Sequence, residues 1–263
     1  MKAVSPLMVA VAAVALLATF RDPGGAAPKT HLMVFAGAAS KPPSLEAKAA
    51  YEKAHPDVQI DITFGGSGTI LQQMMLEEVG DIYMPGSDDF MDKAEEKKAV
   101  IPQTRKIVCY LVPTICVQHG NPKKIRSLTD LARPGITVGL AKPGAVCLGD
   151  ASEAVLTKAG LLEKVKKNVI TYAASCEHTQ QLVQLGEVDA VIGWDAFKSW
   201  APDQIDLVKI DPKYLRVHNI PAAVAVYSQQ RPAAERFIAF LTSKQGKAIF
   251  AKHGYSIEPP KLQ

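Results

Sequence analysis

"TFGGSGTILQQ", residues 63–73, decides how this chain is read. A β-branched run stops in three glycines set around one serine, and a stretch with helical spacing follows. Ser67 therefore stands among Gly65, Gly66 and Gly68 where a strand hands over to a helix. The first turn of a helix exposes N–H groups without intrahelical partners, and the macrodipole places about half a positive charge there. A small anion fits such an end without help from a charged side chain. Glycine lets a backbone come close where a Cβ would hold a ligand off, and a serine hydroxyl donates one directed hydrogen bond. The alternative is that Ser67 only caps its helix.

Strand and helix signals alternate on both sides of this turn. "HLMVFAGA" (31–38) reads as a buried strand, and Ser44 is placed to cap a helix through "LEAKAAYEKAH" that Pro56 stops. "VQIDITF" (58–64) and "DIYMP" (81–85) are further strands. A long β-prone stretch, "KIVCYLVPTICVQ" (106–118), interrupts the alternation. It resumes with strands at 136–141, 169–174 and 189–194 and helices at 151–160, which Gly160 ends, and 178–186. A strand at 218–228 precedes a helical region in which Phe237, Ile238, Leu241, Ala248 and Ile249 share one face. This order implies parallel sheets flanked by helices, and its two series imply two α/β lobes.

In open parallel sheets, ligands bind in the crevice beyond the carboxyl ends of the strands. Six stations fall there: Ser40, Gly66-Ser67-Gly68, Gly86-Ser87-Asp88, Cys147, Cys176 and Trp194-Asp195. Ser40 and Ser67 at one sheet edge point to a small oxyanion. Catalytic motifs are missing. "GGSGT" puts Thr69 where a nucleophile elbow needs glycine, no P-loop or HExxH occurs, and the six histidines are dispersed. No catalytic residue, enzymatic activity or cofactor is expected.

The chain has 263 residues, 48% of them hydrophobic, and a formal charge of +4 without any basic block. That suits one large or two modest domains and gives no nucleic-acid surface. "LMVAVAAVALLATF" (7–20), after Lys2 and before "GGAAP", has the build of a signal peptide over residues 1–27. It is shorter than the roughly 20 residues of a membrane span. No cysteine stands at its exit, so a soluble periplasmic protein is expected. Export permits disulfides. Cys109 and Cys116 would lie about 23 Å apart on one extended strand, beyond disulfide reach. Cys147 and Cys176 each follow a strand and can meet.

Four stretches resemble the molybdate/tungstate-binding periplasmic proteins of ABC transporters, within the type II solute-binding proteins. They are "VFAGAASKPPSLEAKAAYEKAHPDVQIDITFGGSGTILQQM", "GDIYMPGSDDFMDKA", "GEVDAVIGWDAF" and "AERFIAFLTSKQGKAIFAKHGY". The resemblance implies a two-lobed α/β fold, each lobe a mostly parallel sheet flanked by helices, with the ligand cleft between. Lobe I would take residues 28–104 plus 203–263, and lobe II 105–202. It also implies a monomer that captures molybdate or tungstate and delivers it to a membrane permease without chemistry. The ligand-binding set is then Ser40, Ser67, Ala39, Gly66, Gly68, Ser87, Cys147, Trp194 and Asp195.

The sequence departs from that family in places. Trp194 stands near a position where members commonly carry tyrosine, and indole offers only an N–H. Asp88 and Asp195 are acidic groups near an anion site. Cys147 and Cys176 are open to three readings: a disulfide, two unrelated thiols, or a transition-metal site with His178 and Asp195. A metal-binding protein of the same fold and a secreted hydrolase or transferase are the competing functions.

Overall fold

The computed structural model describes residues 30–262; the expected leader lies outside the described residues. The first lobe opens with β1 (Thr30–Gly37), α1 (Lys41–Ala54), β2 (Val58–Gly65), α2 (Ser67–Glu77), β3 (Ile82–Met84) and α3 (Asp88–Glu96). β1 lies between β2 and β3, and residues 34–37 are buried without a break. β2 is the sheet edge, so Val58 and Ile60 point inward while Gln59 and Asp61 are exposed. α1 starts at Lys41, with Pro42 and Pro43 in its first turn. Proline's fixed φ and missing N–H suit that turn. Ser44, expected as the cap, is instead buried inside the helix.

The stretch 106–118 forms two strands, β4 (Lys106–Leu111) and β5 (Pro113–Gln118), and only Val112 separates them. β4 belongs to the first sheet and β5 to the second. Cys109 and Cys116 are thus buried in different sheets. The second lobe continues with β6 (Val138–Ala141), α4 (Cys147–Lys158), α5 (Leu162–Lys166), β7 (Val169–Ala173), α6 (Cys176–Gln184), β8 (Ala190–Trp194), α7 (Phe197–Trp200) and β9 (Ile205–Val208). The chain returns through β10 (His218–Val224) and ends in α8 (Arg231–Thr242) and α9 (Lys244–Lys252).

The sheets run β2-β1-β3-β10-β4 and β7-β6-β8-β5-β9. β10 is antiparallel to β3 and β4, and β5 to β8 and β9. Each sheet is therefore mixed, because the strand entering it from the other lobe runs against its neighbours. Sheet membership puts the crossings at Val112 and between Val208 and His218. This places residues 106–111 in the first lobe and 205–208 in the second, correcting the borders expected at 104/105 and 202/203. The two-lobed α/β class itself is the one the sequence implies. A break at Ser243 resets the helical phase, so Ala248 is exposed while Phe250 is buried with Phe237, Ile238 and Leu241.

One apolar cluster runs through both lobes, from Leu32 and Val34 to Cys116, Trp194 and Phe197. At the first crossing, Asp195 N–H donates to Val112 O at 3.0 Å. The Asp195 carboxylate accepts from Val112 N–H at 3.1 Å and Ala196 N–H at 3.0 Å, both on Oδ1. Burial raises this carboxyl from 3.8 to about 6, against the opposing pull of those two N–H donors. A folded value above the unfolded one means the protonated form is favoured in the native state. Its stabilisation is complete below pH 4 and is lost as pH rises through about 6, by up to roughly 3 kcal/mol. Asp195→Asn keeps an Oδ1 acceptor for both donors. It is expected to raise the Tm at pH 8 and leave it nearly unchanged at pH 4 in thermal unfolding. An equal shift at both values would exclude this titration as the cause.

Candidate functional site

β1, β2 and β3 end side by side, with Gly37 in register with Gly65. Beyond these ends α1, α2 and α3 begin, after Ser40, at Ser67 and after Ser87. The second lobe supplies the starts of α4 at Cys147 and α6 at Cys176. Both helices begin earlier than the 151 and 178 expected, so the two cysteines sit in first turns rather than in loops. α6 packs on the 3-10 turn Ala38–Ser40.

Gly66 and Gly68 of the opening motif face the other lobe, whereas Gly65 faces Ile70 of α2. A Cβ on Gly66 would lie 2.5 Å from Ala145 O and 3.0 Å from Ala174 O. One on Gly68 would lie 2.4 Å from Gly144 O. Gly68 N–H donates to Ala145 O at 2.9 Å, a direct backbone bond between lobes. The closely approaching group at these two glycines is thus the second lobe's backbone. Gly86 matters similarly, since its Cβ would meet Cys147 Sγ at 2.6 Å and Ala39 Cβ at 3.0 Å.

Ser67 does not cap its helix. Gly66 holds the N-cap position, and Ser67 Oγ accepts from Gly86 N–H at 3.0 Å. Its own proton remains available for a further acceptor. Tyr83 Oη donates to Ser67 O at 2.9 Å and fixes that turn from below. Ser40 is fully buried, and its hydroxyl donates to Gly37 O at 3.1 Å. The buried Ser87 Oγ and Trp194 Nε1 have no partner among the described residues. Trp194 is wholly buried, its ring edge-on to His218 at 5.3 Å. Tyr255 Oη donates to Ala39 O, so the chain's last segment also braces the site.

The cysteine pair is not a disulfide. Cys147 Sγ and Cys176 Sγ touch at 4.0 Å as free thiols. The shared Cys176 contact and then burial push the Cys147 thiol well up, against a favourable contact from Ser67. His178 does not join them: it is exposed, and its backbone N–H donates to Ser175 Oγ. Nor does Asp195, whose carboxylate is committed to the crossing. The metal set proposed from sequence is therefore not assembled.

Acidic groups near the site are matched by cations. Arg216 binds Asp88 at 3.1 Å and Asp89 at 2.5 Å, and its Nη2 lies 3.0 Å from His218 Nδ1. Burial opposes the charged form of His218, yet the Asp88 and Asp89 carboxylates hold it above its ordinary value. Asp88, Asp89 and His218 are close enough to hold a cation, but the guanidinium already occupies that role. Two ion pairs cross between lobes, Lys41–Glu177 and Lys93–Asp150, each at 2.9 Å. Sequence reasoning missed Lys41, Glu177, Lys93, Asp150, Gly144, Ala145 and His218, whose contacts join distant parts of the chain.

Because Gly66 and Gly68 admit the opposing backbone, Gly66→Ala and Gly68→Ala are expected to resist closure at a cost of about 1–3 kcal/mol. Small-angle scattering should show a larger radius of gyration for both variants than for the native chain. Unchanged dimensions would mean that these approaches do not set the closed state.

Residues 32–256 match the family model described as bacterial extracellular solute-binding protein. The chain is 24% identical over 226 residues to the molybdate-binding protein ModA of Mycobacterium tuberculosis, covering 86% of this chain and 84% of that one. The periplasmic molybdate-binding protein of Azotobacter vinelandii superposes with a TM-score of 0.74 at 18% identity, over 86% of this chain and 99% of that one. The sulfate-binding protein SubI of Mycobacterium tuberculosis does so at 0.75 and 20%, over 86% of each. With the family model spanning nearly all the described residues and the two-lobed fold in place, the chain belongs to the bacterial extracellular solute-binding proteins.

Proposed function

We propose that this solute-binding protein of an ABC transporter captures a tetrahedral oxyanion between its lobes, molybdate or tungstate first and sulfate-like ions next. The observation that carries the reading is the gathering of helix starts from both lobes around Ser67, bordered by cations already engaged. Lys41, Lys93 and Arg216 each face a carboxylate. A dianion there would meet N–H dipoles and the hydroxyls of Ser67 and Ser87, with that of Ser40 once its proton turns from Gly37 O, donors that stabilise charge without a countercharge. Molybdate-binding and sulfate-binding relatives support that ligand class.

Capture of a tetrahedral anion needs no covalent bond to be made or broken, and the reading is of a monomeric, exported carrier and not an enzyme. The ligand favours the shut form only through contacts it makes there with both lobes. A membrane permease would then receive it as the lobes part.

Titration calorimetry with molybdate, tungstate, sulfate and phosphate tests the proposal. At least one is expected to bind, and Ser40→Ala and Ser67→Ala should each weaken it by about 1–3 kcal/mol, the range for losing a hydrogen bond to a charged group. Absence of heat with all four anions would overturn the assignment.

A further inference from the structure

Capture of a hard tetrahedral anion leaves two sulfurs in the site unexplained. Cys147 and Cys176 open α4 and α6, are each 2% exposed, and lie 4.0 Å apart without a bond. Cys147 Sγ presses on Gly86, whose N–H is held by Ser67 Oγ. Soft sulfur donors and oxyanion donors thus share one enclosed place. Ser87, next to Gly86, adds a buried hydroxyl with no partner among the described residues.

A ligand that uses both donor types must be an oxyacid whose central atom binds thiols. A soft metal cation would use the sulfurs, but it would face the positive ends of several helices. The nearest sequence candidates for further ligands, His178 and Asp195, are turned to other partners. Molybdate and sulfate would use the oxygen donors and leave the thiols idle.

We propose that the inter-lobe site takes the oxyacid of a trivalent group 15 element, arsenite or antimonite, as an adduct of Cys147 and Cys176. The inference rests on the reading of this inter-lobe place as a site for an oxygen-bearing solute and names a pyramidal oxyacid in place of the tetrahedral anion. With arsenite, two S–H bonds and two As–OH bonds break, two As–S bonds form, and two water molecules leave. Arsenic stays trivalent, so neither oxidant nor reductant is consumed. Two sulfurs on one pyramidal arsenic sit somewhat closer than 4.0 Å, an approach that small side-chain rotations supply. The remaining As–OH lies on the Ser67 side. Both thiols are in contact with each other and shielded from solvent, which protects the adduct from hydrolysis once the lobes are shut.

The test uses the mature chain reduced with a phosphine, freed of reductant and mixed with one equivalent of sodium arsenite. Intact-mass spectrometry is expected to show a gain of one arsenite less two waters. Arsenic X-ray absorption should show two sulfur neighbours and one oxygen, a readout that does not depend on any variant folding. Cys147→Ser and Cys176→Ser should each abolish the adduct. Absence of the adduct in the native chain, or arsenic bound through oxygen alone, overturns the dithiol proposal. If molybdate still binds in that case, the oxyanion reading stands by itself. An adduct formed by a protein that gives no heat with any tetrahedral anion upholds the dithiol ligand and overturns the tetrahedral one.

Discussion

Where the two lobes meet, backbone touches backbone. Gly68 N–H reaches Ala145 O at 2.9 Å, and Gly66 lies so near Ala145 O and Ala174 O that a methyl group would not fit. Side chains normally hold packed elements well apart; here glycine removes them on one side and small residues do so on the other. The consequence is geometric. Only at this separation do the start of α2 from one lobe and the starts of α4 and α6 from the other lie close enough to act on one small group. Gly144, which carries one of the opposing carbonyls, is held by Asp150 through a 2.6 Å hydrogen bond. The same Asp150 accepts from Lys93 of the first lobe. One carboxylate thus both shapes the approaching loop and ties it to its partner.

The polar contacts that span the two lobes are individually weak. Lys41–Glu177 and Lys93–Asp150 are partly exposed, and such pairs are worth about 1 kcal/mol or less. The inter-lobe hydrogen bonds from Gly68 N–H to Ala145 O and from Ser199 Oγ to His253 O each add a similar amount. A carrier benefits from this balance. If closure were strongly favoured by protein contacts alone, a ligand could neither enter nor leave; where the polar contacts are weak, the added contacts of a bound ion can weigh on the balance.

Much of the fold was legible because it depends on local signals. Burial of β1, alternation in the edge strand β2, and glycine at the end of α4 are properties of a few consecutive residues. What stayed hidden involves a neighbour far along the chain. "KIVCYLVPTICVQ" reads as one extended run because nothing in it marks Val112 as a crossing; the break arises from the pairing of Val112 with Asp195, 83 residues away. Ser44 looked like a cap because serine favours that position, yet the two prolines before it carry the helix start. At the site, Ser67 and its glycines could be picked out, while their purpose was only half visible. The need for glycine at 66 and 68 comes from carbonyls at 144, 145 and 174 that no local pattern announces. Cys147 and Cys176 each follow a strand, which brings them near one another, and their sulfurs lie 4.0 Å apart.

The departures from the family pattern belong to one connected patch. Trp194 fills the end of β8 and lies against His218; His218 contacts the Asp88, Asp89 and Arg216 network; and Cys147, whose thiol the Cys176 contact and burial push well up, feels His218 only as a weak opposing pull. Asp195, the next residue after Trp194, anchors the crossing at Val112. Bulk at 194, charge at 218 and sulfur at 147 therefore lie in one connected patch. A large indole takes volume and offers a single N–H, which reduces what a tetrahedral oxyanion could gain from that wall. A thiol in contact with Ser67 adds a donor with different preferences in the same space. Both side chains act in the same physical direction, offering fewer hard oxygen-directed contacts and more soft, shape-dependent ones beside helix starts whose N–H groups are partial positive charges.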